Sequence, residues 1–221
     1  MCGVISRKKA DELVKEGRVK INGVVVEELG CRVDTEKYTV EIGGRLIKLE
    51  GKRYIVLNKP PLYLTTMRQS TDNKKTILEL INDVPERVYP VGRLDYDTRG
   101  LLILTNDGEL ANRILHPRYK LPNVYLALVK GRVDKRTLEK MLAGTRLDDG
   151  FAKPDQIRVP VYKDENTLIE ITFREWRRHI VKRFLSNFDH PVLNLKRIQV
   201  GPIKLGRLPS EKWRDMTEVE I

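Results

Sequence analysis

Residues 92–105 read Gly92-Arg93-Leu94-Asp95-Tyr96-Asp97-Thr98-Arg99-Gly100-Leu101-Leu102-Ile103-Leu104-Thr105, a polar, glycine-bounded stretch that runs directly into an aliphatic one. The apolar run predicts a buried strand, and the polar stretch before it predicts a loop carried on that strand. Such a loop is well held, which matters for a nucleophile or base because a placement error of about 1 Å can cost on the order of 100-fold in rate. Asp95 and Asp97 are the candidates. Their i, i+2 spacing would put both carboxylates on one side of an extended loop, so divalent-metal binding is a rival chemistry. A plainer alternative stays open: Asp at a strand entrance also serves as a turn former, or as the partner of Arg93 or Arg99.

Working outward, buried strands are expected at 54–57, 101–105, 124–129, 168–173 and 192–200, with helices at about 76–82, 108–115, 135–143 and 175–187. No regular strand–helix–strand repeat runs through them. The order favours an α+β domain with a largely antiparallel mixed sheet flanked by helices over a doubly wound fold.

The first fifty residues follow a different plan. Ser6 can cap a short helix with Ala10, Leu13 and Val14 on one side and Arg7, Lys8, Lys9 and Lys15 outside that stripe, ending near Gly17. Val19 and Ile21 then alternate with Arg18 and Lys20, Asn22-Gly23 supplies a strong hairpin turn, and Val24-Val25-Val26 returns. Tyr38, Val40 and Ile42, then Gly43-Gly44, then Leu46 and Ile47 suggest a second hairpin. The pattern breaks around Glu50-Gly51-Lys52-Arg53, which places a boundary between a small domain at 1–51 and a larger one at 52–221.

Composition narrows the classes. The 221 residues carry 42 Lys+Arg against 31 Asp+Glu, a formal charge of +11, and are 40% hydrophobic, enough for a real core. The excess is local: residues 1–50 hold ten basic and nine acidic residues, whereas residues 172–207 hold nine and two. That basic stretch is interleaved with Phe173, Trp176, Phe184 and Phe188 and suits a polyanion, because each phosphate neutralised releases counterions and an aromatic can cover a base. A merely solvated basic face is the alternative.

Several catalytic kits fail on inspection. Cys2 and Cys31 are isolated, which leaves no disulfide framework and no structural zinc set. Gly201 and Gly206 have P-loop spacing, but Arg207-Leu208 stands where Lys and Ser or Thr would be needed. His116, His179 and His190 lack partners at metal-ligand spacing, and no Ser sits in a G-x-S-x-G elbow. No run of about 18 apolar residues is present, and the charges at Arg7-Lys8-Lys9 follow the short apolar start, the wrong order for a signal peptide. A cytoplasmic protein is expected.

The stretch from Gly92 to Thr105, continued by Asn106-Asp107-Gly108-Glu109-Leu110, resembles the catalytic motif of the ribosomal small- and large-subunit pseudouridine synthases of the RsuA/RluB type. Three further segments agree in order: Asn58-Lys59-Pro60, Val124-Tyr125-Leu126, and His179-Ile180-Val181-Lys182-Arg183-Phe184 leading to Leu195-Lys196-Arg197-Ile198-Gln199-Val200-Gly201. The first fifty residues look like an S4 RNA-binding domain. That module ordinarily opens with one more helix, and this chain starts after it, so a partial module is expected.

The resemblance implies a pseudouridine synthase fold and the conversion of a uridine in ribosomal RNA to pseudouridine, without cofactor or metal. Tyr89-Pro90-Val91-Gly92 looks more like the large-subunit branch. By the same resemblance Asp95 is the nucleophile, which needs a pre-aimed, ionised carboxylate. Lys182, with Arg183 beside it, supplies a cation to Asp95, in place of the Arg of more distant synthases and without its planar fork; a phosphate contact is the other use for Lys182. Tyr125 would stack on the extruded uracil, and Arg93 would fill the gap that the base leaves; read without the resemblance, these two are core packing and a structural ion pair. RNA contacts are expected from Arg7, Lys8, Lys9, Lys15, Arg18 and Lys20 in the first domain and from Arg177, Arg178, Lys196 and Arg197 in the second. Ile180 stands where the family usually has Gln, and Trp176 where it has Gly, which offers an unpaired base a stacking surface. The implied partner is ribosomal RNA, free or in an assembling subunit, with no membrane, and a monomer is expected.

Overall fold

The computed structural model describes residues 7–31, 33, 34, 37–47 and 50–221. Ser6, expected to cap the first helix, lies outside the described residues, as do Cys2 and the side chain of Arg7.

The first helix, α1 (Arg7–Lys15), buries Leu13 and leaves Lys8, Lys9 and Lys15 exposed, as the stripe predicts. It is followed by a four-stranded antiparallel sheet of β1 (Val19–Ile21), β2 (Val24–Val25), β3 (Val40–Ile42) and β4 (Arg45–Leu46), in the order β2-β1-β3-β4. Asn22 and Gly23 both take positive φ, 48° and 81°, which is what a tight hairpin turn between right-twisted strands requires. The Asn22 carboxamide oxygen also accepts from the Thr39 amide at 2.9 Å, so one turn residue ties the two hairpins together.

A second, nine-stranded sheet contains β5 (Tyr54–Lys59), β6 (Tyr89–Val91), β7 (Arg99–Thr105), β8 (Asn123–Val129), β11 (Gln156–Lys163), β12 (Asn166–Phe173), β13 (Val192–Val200), β14 (Ile203–Lys204) and β15 (Trp213–Asp215). Its main path runs β11-β12-β8-β13-β7-β5-β15. Of the pairings along this path, β13 with β7 is the parallel one; the sheet is largely antiparallel, as the element order implies. A separate hairpin joins β9 (Thr145–Leu147) to β10 (Gly150–Ala152). The helices of this part are α2 (Gly108–Leu115), α3 (Lys135–Ala143) and α4 (Ile180–Ser186).

The aliphatic run of β7 is uninterrupted because the strand is covered on both faces. Leu101 and Ile103 enter one apolar cluster with Val56, Ile114 and Val200, while Leu102 and Leu104 enter another with Ile55, Leu57 and Ile77. A third cluster under β8 and β12 receives Ile180, Val181, Phe184 and Leu185, so α4 is fixed by its apolar face. The parallel approach of β7 to β13 needs Gly100: it sits at φ +107°, and a Cβ there would fall 2.2 Å from the Arg197 carbonyl oxygen.

Three expectations change. The helix expected at 76–82 is a single 3₁₀ turn, Ile77–Leu80, held by the Glu79 side chain on the Thr76 amide. The helix expected at 175–187 begins only at Ile180, because apolar residues at helical spacing start there and His179 takes a left-handed backbone, φ 52° and ψ 27°. Strand β11, not anticipated, is an edge strand with Pro160 at a register shift between Arg158 and Val161; its side chains are mostly exposed, so no apolar alternation announces it.

Candidate active site

Loop 92–98 joins β6 to β7 at the end where β7 meets β13. It is clamped from beneath. The Leu62 amide donates to the Tyr96 carbonyl at 2.7 Å, and the Thr65 hydroxyl donates to the Leu94 carbonyl at 2.6 Å while accepting the Leu94 amide at 3.3 Å. Lys59 has no exposed surface, and its Nζ donates to the carbonyl oxygens of Pro60 and Thr98 at 2.9 Å, Asp95 at 3.2 Å and Tyr96 at 3.4 Å. Burial pushes the Lys59 ammonium down to about 8, against the attraction of Asp97 and Asp95. Sequence reasoning gave Lys59 no role; a lysine ending a strand that opens Tyr54-Ile55-Val56-Leu57, before Pro60-Pro61, is the signal that could have found it.

The clamp fixes the backbone of Asp95 and leaves its side chain 30% exposed. His179 Nε2 lies 3.1 Å from Asp95 Oδ1, and Lys182 Nζ lies 3.1 Å from Asp95 Oδ2. Lys182 also donates to Asp97 Oδ1 at 2.6 Å. Burial works against charge on Lys182, but the hydrogen bonds and charges of Asp97 and Asp95 outweigh it and raise its pKa above the usual lysine value. The Lys182 hydrogen bond likewise holds the Asp97 carboxyl below the usual carboxylate range. An ammonium therefore bridges the two carboxylates, in the position that a bridging divalent cation would need. Among the described residues no group of three or more His, Cys, Asp or Glu could hold a metal ion.

Asp95 opens onto a cleft of about 290 Å³ that Arg93, Tyr125, Trp176, Arg178, His179 and Arg197 help to line. Tyr125 is half-buried and packs its other side on the β8–β12 core; Arg93 and Arg178 line the cleft and are exposed. Trp176 lies against Gly92, where a Cβ would come within 3.0 Å of the indole.

Other expected site residues are engaged differently from the expectation. Arg197, expected as an RNA contact, is 1% exposed: it donates through Nε to the Leu101 carbonyl at 2.9 Å, and its guanidinium lies 5.2 Å from the centre of the Trp176 ring. Its place on the central strand β13, opposite Gly100, buries it. Arg183 does not reach the cleft; its Nη2 donates to Asp149 Oδ2 at 2.6 Å. Arg177 lines the cleft but is engaged by Asp149, Glu175 and the carbonyls of Gly150 and Phe151. Lys196 is half-buried on β13. Of the N-terminal group, Lys8, Lys9, Lys15, Arg18 and Lys20 are exposed. His179, read from sequence as a lone histidine, is, with Lys59, a residue that was missed. Its distance in sequence from Asp95 hides the contact, and only the left-handed turn before α4 brings the imidazole to the carboxylate.

An open cleft, a loop locked from below and a carboxylate with both oxygens engaged by nitrogen groups can support covalent attack on a bound nucleoside. Comparison with known proteins agrees. A family model described as RNA pseudouridylate synthase matches residues 53–187, and an S4 domain model matches residues 3–46. The chain is 62% identical to an RNA pseudouridine synthase of Aquifex aeolicus (strain VF5), covering 99% of this chain and 88% of that one. It is 39% identical to the ribosomal large subunit pseudouridine synthase B of Bacillus subtilis (strain 168), covering 99% and 90%. A solved structure described as a pseudouridylate synthase superposes with a TM-score of 0.67 at 27% identity, covering 99% of this chain and 94% of the other. With the catalytic-loop architecture and these matches together, the chain belongs to the RNA pseudouridine synthases, isomerases that act on RNA and here carry an S4 RNA-binding domain.

Proposed function

We propose that this protein isomerises a specific uridine of large-subunit ribosomal RNA to pseudouridine, with Asp95 as nucleophile. The observation that carries the reading is the carboxylate itself: solvent-facing, mounted on a clamped loop, and paired through both oxygens with His179 and Lys182 at the mouth of a cleft. An Asp95 oxygen bonds to the sugar C1′ as the bond from C1′ to N1 breaks, and the electron pair leaves with the uracil. The detached base turns, C5 bonds to C1′, the carboxylate departs with its electrons, and a proton is lost from C5 and regained at N1. Lys182 sets a cation beside the carboxylate, Tyr125 stacks on the extruded base, and Arg93 fills the gap in the RNA stack, a step that offsets an unstacking cost of a few kcal/mol. No cofactor is called for.

The large-subunit target is supported by relatives named ribosomal large subunit pseudouridine synthase B, including one from Vibrio vulnificus (strain CMCP6) at 32% identity over 96% of this chain. The two separate sheets support a division near residue 51, with the first part gripping RNA and the second carrying the chemistry. The protein works as a cytoplasmic monomer. No helix among the described residues is long and apolar enough to cross a membrane.

The test is to map carbodiimide-blocked reverse-transcription stops on ribosomal RNA with the native protein and with Asp95→Asn. The substitution is expected to lower pseudouridine formation by at least about 10³-fold, roughly 4 kcal/mol of barrier, with RNA binding nearly unchanged and with EDTA without effect. If the native protein and the variant are equally inert yet both bind RNA, the chain is a non-catalytic RNA-binding assembly factor and this reading is wrong.

A further inference from the structure

The two oxygens of Asp95 are held by different kinds of group. Oδ2 faces an ammonium that is shared with Asp97 and is pulled harder by it, at 2.6 Å against 3.1 Å. Oδ1 faces an imidazole, at 3.1 Å. Imidazole is the side chain whose unperturbed charge changes between about pH 5 and 8. At this distance a neutral ring whose Nε2–H points at the oxygen aims it without cancelling its charge, whereas a protonated ring adds a positive charge that withdraws it.

The backbone shows that the imidazole is placed for this contact. His179 is the residue that opens α4, where a side chain commonly caps the free amides, yet it makes no capping hydrogen bond and sits at φ 52°. Glycine would take this conformation without steric cost. The side chain thus serves Asp95 rather than its own helix.

We propose that His179 is a further catalytic residue: in its neutral form it orients Oδ1 of Asp95 as the attacking oxygen, and on protonation it switches the nucleophile off. The proposal rests on the reading of Asp95 as nucleophile. Oδ1 bonds to C1′ as the bond to N1 breaks, and later departs with its electron pair as C5 bonds to C1′. His179 keeps its proton count throughout, and the C5 and N1 protons exchange with solvent.

Other charged and titratable groups surround the imidazole. From the loop come Asp95, Asp97 and Arg93; across the cleft stand Tyr125 and Arg197; from its own segment come Glu175, Arg178 and Lys182. Among the described residues, the ion pair recorded at Oδ1 is the one from His179, so substitution at 179 isolates the effect.

The experiment uses the full chain in excess over ribosomal RNA transcribed with [5-³H]uridine and follows tritium release in single turnovers as a function of pH, with RNA binding measured alongside. The native rate should fall about tenfold per pH unit once the imidazole has taken up its proton, as one protonation requires. His179→Gln keeps a donor that does not titrate but places it less well: it should lower the rate at about pH 8 roughly fivefold, the cost of weakening one hydrogen bond, and abolish the acid fall. His179→Gly relieves the backbone and removes the donor, and should lower the rate about 100-fold, as for a nucleophile misplaced by about 1 Å, with RNA binding and thermal midpoint no lower than native. An acid fall that persists in His179→Gln, or a native rate in His179→Gly, overturns the proposal while leaving Asp95 as nucleophile intact. A native protein that releases no tritium at any pH instead overturns the nucleophile reading beneath it.

Discussion

Asp95 and Asp149 both receive positive charge from residues 177–183, and they receive different kinds of it. Asp149, in the turn between β9 and β10, takes Arg177 Nη1 on Oδ1 at 2.9 Å and Arg183 Nη2 on Oδ2 at 2.6 Å. The Arg183 hydrogen bond holds its carboxyl below the usual carboxylate range. Guanidinium is planar and charged at every accessible pH, so this pairing is a permanent anchor. Asp95 takes His179 and Lys182, a titratable ring and a compact ammonium, neither of which closes a two-pronged grip on it. One short segment is therefore pinned to a hairpin by arginines and presented to the reactive loop by residues that can let go. A count of basic residues between 172 and 207 consequently does not measure what is available to RNA, because two of the arginines are already committed to Asp149.

Removing one member from each pairing sharpens the contrast. Lys182→Met takes the cation from Asp95 and should lower turnover by about 10²–10³-fold, roughly 3–4 kcal/mol of barrier, with the fold retained. Asp149→Ala should leave turnover within about threefold and change stability only within the small range of exposed ion pairs. Single-turnover rates and thermal melts on both variants check this, and an equal loss of turnover in the two would erase the distinction between anchor and active pair.

Lys59 extends the comparison beneath the loop, where a cation is held by carbonyls. Its folded-state value of about 8 lies below its ordinary 10.5, so between these pH values the unfolded chain binds more protons than the folded one. Stability should therefore rise with pH through that window, by at most about 3 kcal/mol. Activity should move the other way, because the neutral amine has one N–H fewer for the carbonyls of Pro60, Asp95, Tyr96 and Thr98. Urea unfolding and turnover measured from about pH 8 to 10 test this against Lys59→Met, which should lack the rise in stability. Parallel curves for the native protein and the variant would remove Lys59 from the account.

Much of this was legible in the chain. The five buried strands carry continuous or alternating aliphatic residues, and each forms within a few residues of where the pattern puts it. Asp95 is recognisable because its loop is polar, glycine-bounded and followed by Leu101-Leu102-Ile103-Leu104. What escaped depends on neighbours distant in sequence. Arg197 looks like a surface cation until Gly100 draws β7 and β13 together and buries it. Arg183 looks like a companion of Lys182, but adjacent helical positions face about 100° apart, and Asp149 stands on its side. His179 escaped because a left-handed residue interrupts the helical periodicity that would have located it.

The smallest effect concerns the N-terminal region, where lysines meet neither kind of carboxylate partner. Lys9 pairs with Glu12 at 3.1 Å and Arg18 with Glu16 at 3.5 Å, whereas among the described residues Lys8, Lys15 and Lys20 are exposed with no such pair. A cation already facing a carboxylate releases fewer counterions from RNA than an unpaired one, so the salt dependence of binding should distinguish them. Lys8→Ala and Lys15→Ala should each lower the slope of log affinity against log salt by about one unit, scaled by the counterion factor, for the phosphate that the lysine neutralises, and Arg18→Ala by less. Turnover at saturating RNA should not change, since these residues lie on a sheet and helix separate from the sheet that carries Asp95. Equal slopes for all three variants would mean that RNA displaces Glu16 from Arg18 as readily as water leaves Lys8, and the carboxylates here would then be no more than spectators of binding.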